Sequence, residues 1–279
     1  MRKIKFTKMV ASGNDFVVID KSHPASPAGR QVTKPPCLAG RQASRQNLAK
    51  KICDRKFGVG ADGLLVLEKS KIADVRMRIF NADGSEAQMC GNGARCIALY
   101  IGRKSIDIET KAGIIEAKVN ANRVRIKLTD PKDIKFDIPV KLNARNLKVN
   151  FVDTGVPHAV IFVEGLDKIN VSQIGRFLRY HEKFAPRGTN VNFVEVLSKD
   201  SFKIRTYERG VEDETLACGT GTVASTLIFA LKTGSGNKIR ARTKGKEILT
   251  VYFKKRGNKF TDVWLEGKAG IVCKGEYYV

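Results

Sequence analysis

The chain of 279 residues is long for one hydrophobic core and suits two domains of about 130 residues each. Hydrophobic content of 42% beside 28% charged residues excludes wholesale disorder, and no apolar run reaches the ~20 residues that span a bilayer. Lys and Arg number 51 against 28 Asp and Glu, a formal charge of +23 that attracts polyanions, but it is spread along the chain without any nucleic-acid motif and reads as background.

The basic N-terminus carries Lys3, Lys5 and Lys8 before any apolar segment can form, so no secretory signal is expected and the expected location is the cytoplasm. Residues 4–20 read as strand, turn, strand. Residues 23–47 hold Pro24, Pro27, Pro35 and Pro36 with no acidic side chain, which predicts a mobile surface loop. A short helix over 46–56 follows, then a glycine turn and a strand from Gly63. Alternating patterns predict strands at 75–80, 106–110, 114–119 and 123–128. The second half predicts strands at 158–164, 190–197, 202–208, 238–243, 248–255 and 260–267. Helices are expected near 171–181 and from Cys218 through an apolar, uncharged stretch to Leu231.

An internal repeat runs through this order. MCGNGARCIALYIG at 89–102 matches ACGTGTVASTLIFA at 217–230 in its C-G-x-G opening and apolar continuation. Glu86 precedes Cys90 by the spacing that separates Glu214 from Cys218, and Gly13 and Gly155 each precede an aliphatic strand. Counted back from the cysteines, Glu208-Arg209 is expected where the first half has Phe80-Asn81. Two related halves, each ending in a Cys at a helix start, imply a site at the interface between them.

Six cysteines in a chain of this length, with no C-x-x-C and only His23, His158 and His181, make neither a disulfide framework nor a structural zinc site; no metal is expected. GVGADG at 58–63 spells a dinucleotide fingerprint, but a helix precedes it and a strand follows, the inverse of the required context. Cys90 and Cys218 each open a helix through a glycine pair. Free N–H groups and the helix dipole favour anions there and lower a thiol's pKa, while glycine admits a ligand carboxylate. Cys96 lies some 240° around the helix from Cys90 and reads as core. Cys37, Cys53 and Cys273 read as structural, and His158 as either a ligand contact or a structural histidine.

ASGNDFVVID, FGVGADGLL, RIFNADGSEAQMCGNGARC, TGVPH, RGTNVNF and YERGVEDETLACGTGTVAS resemble, in order and over almost the whole chain, the signature blocks of the diaminopimelate epimerase family. The resemblance implies an α/β fold of two pseudo-symmetric domains, each a curled, mostly antiparallel sheet around a central helix, with the active site in the cleft between them. The domains implied are 1–133, joined by the returning tail 268–279, and 134–267. It implies interconversion of LL- and meso-diaminopimelate in lysine and peptidoglycan-precursor biosynthesis, with no cofactor. Matched by position, Cys90 and Cys218 are the acid/base pair. Gly91, Asn92, Gly219 and Thr220 hold the α-carboxylate, while Asn14, Asn81, Asn190, Glu208 and Arg209 bind the amines and the distal carboxylate. Gly63 and Val156 depart from the pattern, where family members often carry Gln and Asn. They keep open a racemase of the same architecture acting on histidine or hydroxyproline; a basic nucleic-acid-binding protein rests on the charge alone. The partners expected are a small amino-acid substrate and a second copy of the chain, with no membrane and no nucleic acid.

Overall fold

The computed structural model describes residues 3–22, 38–142 and 145–279. These form two compact units: Met1–Ile126 together with Lys268–Val279, and Lys127–Gly267.

The first unit contains β1 (Lys3–Ala11), β2 (Asn14–Asp20), α1 (Leu38–Cys53), β3 (Gly63–Glu68), β4 (Val75–Asn81), β5 (Glu86–Ala87), α2 (Gly91–Ile101), β6 (Ser105–Thr110), β7 (Gly113–Asn120) and β8 (Arg123–Lys127). The second contains β9 (Lys132–Leu142), β10 (Arg145–Asp153), β11 (Pro157–Phe162), α3 (Val171–Arg179), β12 (Asn190–Ser198), β13 (Ser201–Glu208), β14 (Asp213–Thr215), α4 (Gly219–Thr233), β15 (Lys238–Arg242), β16 (Ile248–Arg256) and β17 (Lys259–Lys268). The chain ends in β18 (Gly270–Tyr278), which returns to the first unit and pairs antiparallel with β1.

One pairing scheme runs twice. In the first unit β1 and β2 form a hairpin, β3 lies parallel to β2, β4 antiparallel to β3, and β6 parallel to β4. In the second, β10 through β13 and β15 repeat those relations strand for strand. Parallel neighbours need a crossover, and α1, α2, α3 and α4 supply the four. The hairpin turns place Gly13 at φ 86° and Gly155 at φ 97°, conformations that favour glycine. β9 pairs with β10 as β18 pairs with β1, so the outer strand of the first unit comes from the far end of the chain.

Each crossover helix that follows a cysteine is the centre of its unit. α2 touches β1, β2, β4, β6, β7 and β18, and α4 touches β10, β11, β12, β15 and β16. Both are apolar on nearly all sides, as a helix wrapped by a curled sheet must be, and both end at a left-handed glycine, Gly102 and Gly234. The fold class is the one the sequence implied, a curled, mostly antiparallel sheet around a central helix, twice over.

Two expectations change. Helix α1 begins at Leu38 and ends at Cys53 instead of spanning 46–56, so residues 38–47 are helical and not part of a loop. The prolines that suggested a loop all lie at or before Pro36, and the residues after them (Ala, Arg, Gln, Leu) are strong helix formers. The remaining part of the predicted loop, 23–37, and Cys37 with it lie outside the described residues. Strands β9 and β10 were not anticipated; β9 is largely exposed and rich in charge, which blurs its apolar alternation.

Candidate active site

Cys90 is the N-cap of α2, with extended backbone at φ −143° and ψ 118°, and is half-buried. The first turn of this helix holds Gly91 and Asn92. Asn92 is buried and donates from Nδ2 to Asn14 Oδ1 at 2.7 Å, joining two residues that are remote in sequence. Asn14, at the start of β2, donates in turn to Asp62 Oδ2 at 3.0 Å. Arg95 lies wholly buried one turn along α2 and donates to Asn92 Oδ1 and to Ser12 Oγ, the latter at 2.6 Å. Sequence reasoning passed over Arg95; its signal was a lone cation in an otherwise uncharged helix. Asn81 ends β4, exposed, with its amide on Ser85 Oγ at 2.9 Å.

Cys218 caps α4 with nearly the same backbone, φ −120° and ψ 115°, but is buried. Its Sγ accepts from Gly221 N at 3.4 Å and lies 3.6 Å from Thr220 Oγ1. Those contacts favour a thiolate, yet burial outweighs them and pushes the Cys218 thiol up to about 12. The helix start does lower the thiol's pKa, through Thr220 and Gly221, but burial first and the nearby Glu208 second outweigh it. Gly221 is obligatory, since a Cβ would stand 2.3 Å from Asn192 Oδ1. Asn192, also unforeseen, accepts from Thr206 Oγ1 at 3.0 Å and donates to Ala159 O at 2.9 Å.

Asn190 opens β12, buried, with Oδ1 accepting from Arg209 N at 2.7 Å and Nδ2 donating to Pro157 O at 3.2 Å. Arg209 is half-buried and donates from Nη1 to Arg187 O at 3.0 Å. Glu208 is raised above the ordinary carboxylate range by burial, and Thr215 Oγ1 donates to it at 3.0 Å. His158 is fully buried and kept neutral, its pKa lowered to about 3 by burial first and by the nearby Arg209 charge second. Its Nδ1 faces Asn192 Nδ2 at 3.2 Å.

The ladders correct the repeat alignment. Phe80 pairs with Glu86, and Tyr207 with Glu214. The equivalents are therefore Phe80 with Tyr207 and Asn81 with Glu208, not Asn81 with Arg209. The second turn is one residue longer, with Glu212 in the left-handed region at φ 58°. Gly63 lies opposite Asn81 as Asn190 lies beside Glu208. A Cβ at Gly63 would be 2.9 Å from Phe80 O with the Phe16 ring at 3.6 Å, so the ring stands where His158 stands in the second unit.

Both helix starts share one brace. Arg78 forks onto Glu86 at 2.7 and 2.8 Å and Lys111 reaches the same carboxylate at 2.6 Å. Arg205 forks onto Glu214 at 2.7 and 2.8 Å and Lys244 reaches it at 2.8 Å. Each Glu lies four residues before its cysteine and holds the strand that feeds the helix. Among the described residues no cluster of three or more His, Cys, Asp or Glu could hold a metal ion.

The sequence model of the diaminopimelate epimerase family matches residues 6–133 and 150–272. The chain is 39% identical over 283 residues to the diaminopimelate epimerase of Aquifex aeolicus, covering 98% of this chain and 97% of that one. It is 41% identical over 280 residues to that of Hydrogenobaculum sp., covering 96% of each. Two solved structures share the fold. A Bacillus anthracis phenazine biosynthesis protein of the PhzF family superposes with a TM-score of 0.71 at 19% identity over 100% of both chains. A hydroxyproline epimerase from Agrobacterium vitis superposes with a TM-score of 0.67 at 15% identity, over 99% of this chain and 92% of that one.

Proposed function

The chain belongs to the diaminopimelate epimerase family, and from that premise we propose a two-base inversion of diaminopimelate carried out by Cys90 and Cys218. The enzyme is an isomerase of lysine and peptidoglycan-precursor biosynthesis. One cysteine, as thiolate, removes the α-proton of LL-diaminopimelate. The other, as thiol, delivers a proton to the opposite face to give the meso isomer, and the reverse direction exchanges the roles. Cys218, whose thiol burial keeps protonated, enters the cycle as the donor. The N–H groups of Gly91-Asn92 and Gly219-Thr220 hold the α-carboxylate, whose charge grows as the α-proton leaves. Asn14, Asn81, Asn190 and Glu208 accept or orient the amines, and Arg209 holds the distal carboxylate as a planar fork. This chemistry asks for no cofactor, since the helix starts take the part of the electron sink.

The observation that carries the reading is the repetition of one cysteine N-cap, with one Arg–Glu–Lys brace behind it, at equivalent places in both units. No helix among the described residues is long and apolar enough to cross a membrane, and we assign the enzyme to the cytoplasm. We add a second copy of the chain as partner. β18 is paired on one side with β1 and exposes Ile271, Val272 and Tyr278, and antiparallel self-pairing about Gly275 would set Lys274 opposite Glu276. The test is to incubate the reduced protein with LL-diaminopimelate and resolve the stereoisomers; meso product is expected. Inversion of histidine or hydroxyproline with none of diaminopimelate would overturn the reading.

A further inference from the structure

The two units match through the Arg–Glu–Lys brace, and one rung further out the match breaks. In the first unit β4 and β6 run parallel with Arg76 opposite Glu109, and the two side chains form an ion pair at 3.6 Å. Arg76 precedes the brace residue Arg78 by two, and Glu109 precedes Lys111 by two. The same rung in the second unit, two residues before Arg205 on β13 and two before Lys244 on β15, sets Lys203 opposite Arg242. Like charges directly opposite on a ladder are destabilising.

Lys203 finds acids elsewhere, Glu195 at 3.2 Å and Asp167 at 3.5 Å. Arg242 does not; among the described residues it enters no ion pair, and neither does Lys246. Lys246 sits at φ 62° in the turn after β15, held there by its N–H on Thr243 O at 2.9 Å and by Thr243 N on Glu247 O at 3.0 Å. Lys203, Arg205, Arg242, Lys244 and Lys246 together line a hollow of about 360 Å³ in which Asp167 is the single acid.

We infer that this hollow is a binding site for a small phosphate-bearing molecule, with Arg242 as its fork and Lys203 and Lys246 as its point charges. A guanidinium matches two phosphate oxygens at once, and the lysines add charge without geometry. A lone carboxylate would leave most of that charge unanswered, whereas a phosphate dianion meets it. The volume exceeds one orthophosphate and lies within the range of small-molecule sites, roughly 300–1,000 Å³. A nucleic-acid track would need free cations continuing along the sheet. Its neighbours are engaged instead: Arg240 with Asp200 at 2.8 Å, Lys254 with Asp262 at 3.0 Å, and Lys238 over the Tyr252 ring.

The repeat itself supplies the test. Arg242→Glu rebuilds in the second unit the cross-strand pairing of opposite charges that the first unit has, so the variant should fold and melt at or above the parent temperature. Pyrophosphate is titrated calorimetrically into the intact reduced protein in phosphate-free buffer at about 0.15 M salt. One saturable site per chain is expected, weakened at least ~10-fold by Arg242→Glu and by Lys246→Glu, with epimerisation unchanged in both. No saturable binding, or equal binding by parent and variants, would overturn the assignment. So would tighter, multi-site binding of a single-stranded oligonucleotide that pyrophosphate fails to displace.

Discussion

The first turns of α2 and α4 have one backbone and two environments. Cys90 and Cys218 cap them at φ and ψ values within about 25° of one another, the glycines follow in the same places, and the same brace holds the strand before each. Around Cys90 the setting is polar, with Asn14, Asn92, Arg95 and Ser12 joined in one chain of hydrogen bonds. Around Cys218 it is buried, with the Glu208 carboxyl group, itself raised toward its protonated form, acting on the thiol. In the two-base inversion proposed here, the equivalent geometry would serve the two faces of the α-carbon, and burial biases the Cys218 sulfur toward holding its proton.

The sharpest way to break the comparison is to delete each thiol. Cys90→Ala and Cys218→Ala should each lower kcat/KM by ~10²–10⁴ or more, the span lost with one positioned acid or base, whereas Cys53→Ala and Cys273→Ala should stay within a few-fold. Near-full activity in either N-cap variant would sink the paired mechanism.

Arg209 has no cationic counterpart in the first unit, where the equivalent turn carries Ala82, and so it tests the asymmetry in substrate binding. Replacing it with Met should cost at least ~10² in kcat/KM for diaminopimelate, since a fork–carboxylate contact is lost and the distal charge is left unpaired. Lysine lacks that carboxylate and should be a comparably poor substrate for the parent enzyme. Steady-state rates for both compounds decide it, and equal rates on lysine and diaminopimelate in the parent would refute the role of Arg209.

The braces should be interchangeable in energy. Glu86 and Glu214 are nearly buried and each faces two cations. Breaking a buried pair costs roughly 3–5 kcal/mol, and the solvent-facing lysine arms bring this to about 2–3. Glu86→Gln and Glu214→Gln should therefore lower the melting temperature by similar amounts, roughly 4–12 °C. Both carboxylates titrate below their ordinary value because the cations outweigh burial. Their contribution is thus full above about pH 4.3 and fades as pH falls through the depressed values. Unequal losses would show that one unit leans on its brace more than the other.

Glu208 has the opposite sign. Its raised pKa means that the folded chain holds a proton the unfolded chain releases. Stability therefore declines as pH rises from about 4.3 toward the raised value. Glu208→Gln should melt a few degrees higher than the parent near pH 7 and at the same temperature near pH 4, while losing activity. Scanning calorimetry at the two pH values reads the difference, and Asn81, exposed at the equivalent position, should show none when changed to Ala.

Much of this was legible in the linear chain. The spacing of Glu86, Cys90 and Gly93 against Glu214, Cys218 and Gly221 revealed the repeat, because a repeated fold needs the same glycines wherever its backbone turns tightly or approaches a neighbour. Strand alternation located most of the sheet, since residues on a half-buried strand must alternate between core and water. What the chain could not disclose depends on which residues meet across a ladder. The extra residue in the turn after β13 moves Glu208, not Arg209, opposite the place of Asn81, and only the strand register reveals it. The burial that raises the Cys218 thiol comes from elements remote in sequence, so a helix start alone misjudged its sign. The juxtaposition of Lys203 with Arg242 is likewise invisible in a sequence that separates them by α4. Local pattern determines the elements because it expresses backbone preference and one-sided burial. Protonation states and charge clusters belong to the tertiary structure, because dielectric and distance are set by neighbours that the sequence does not adjoin.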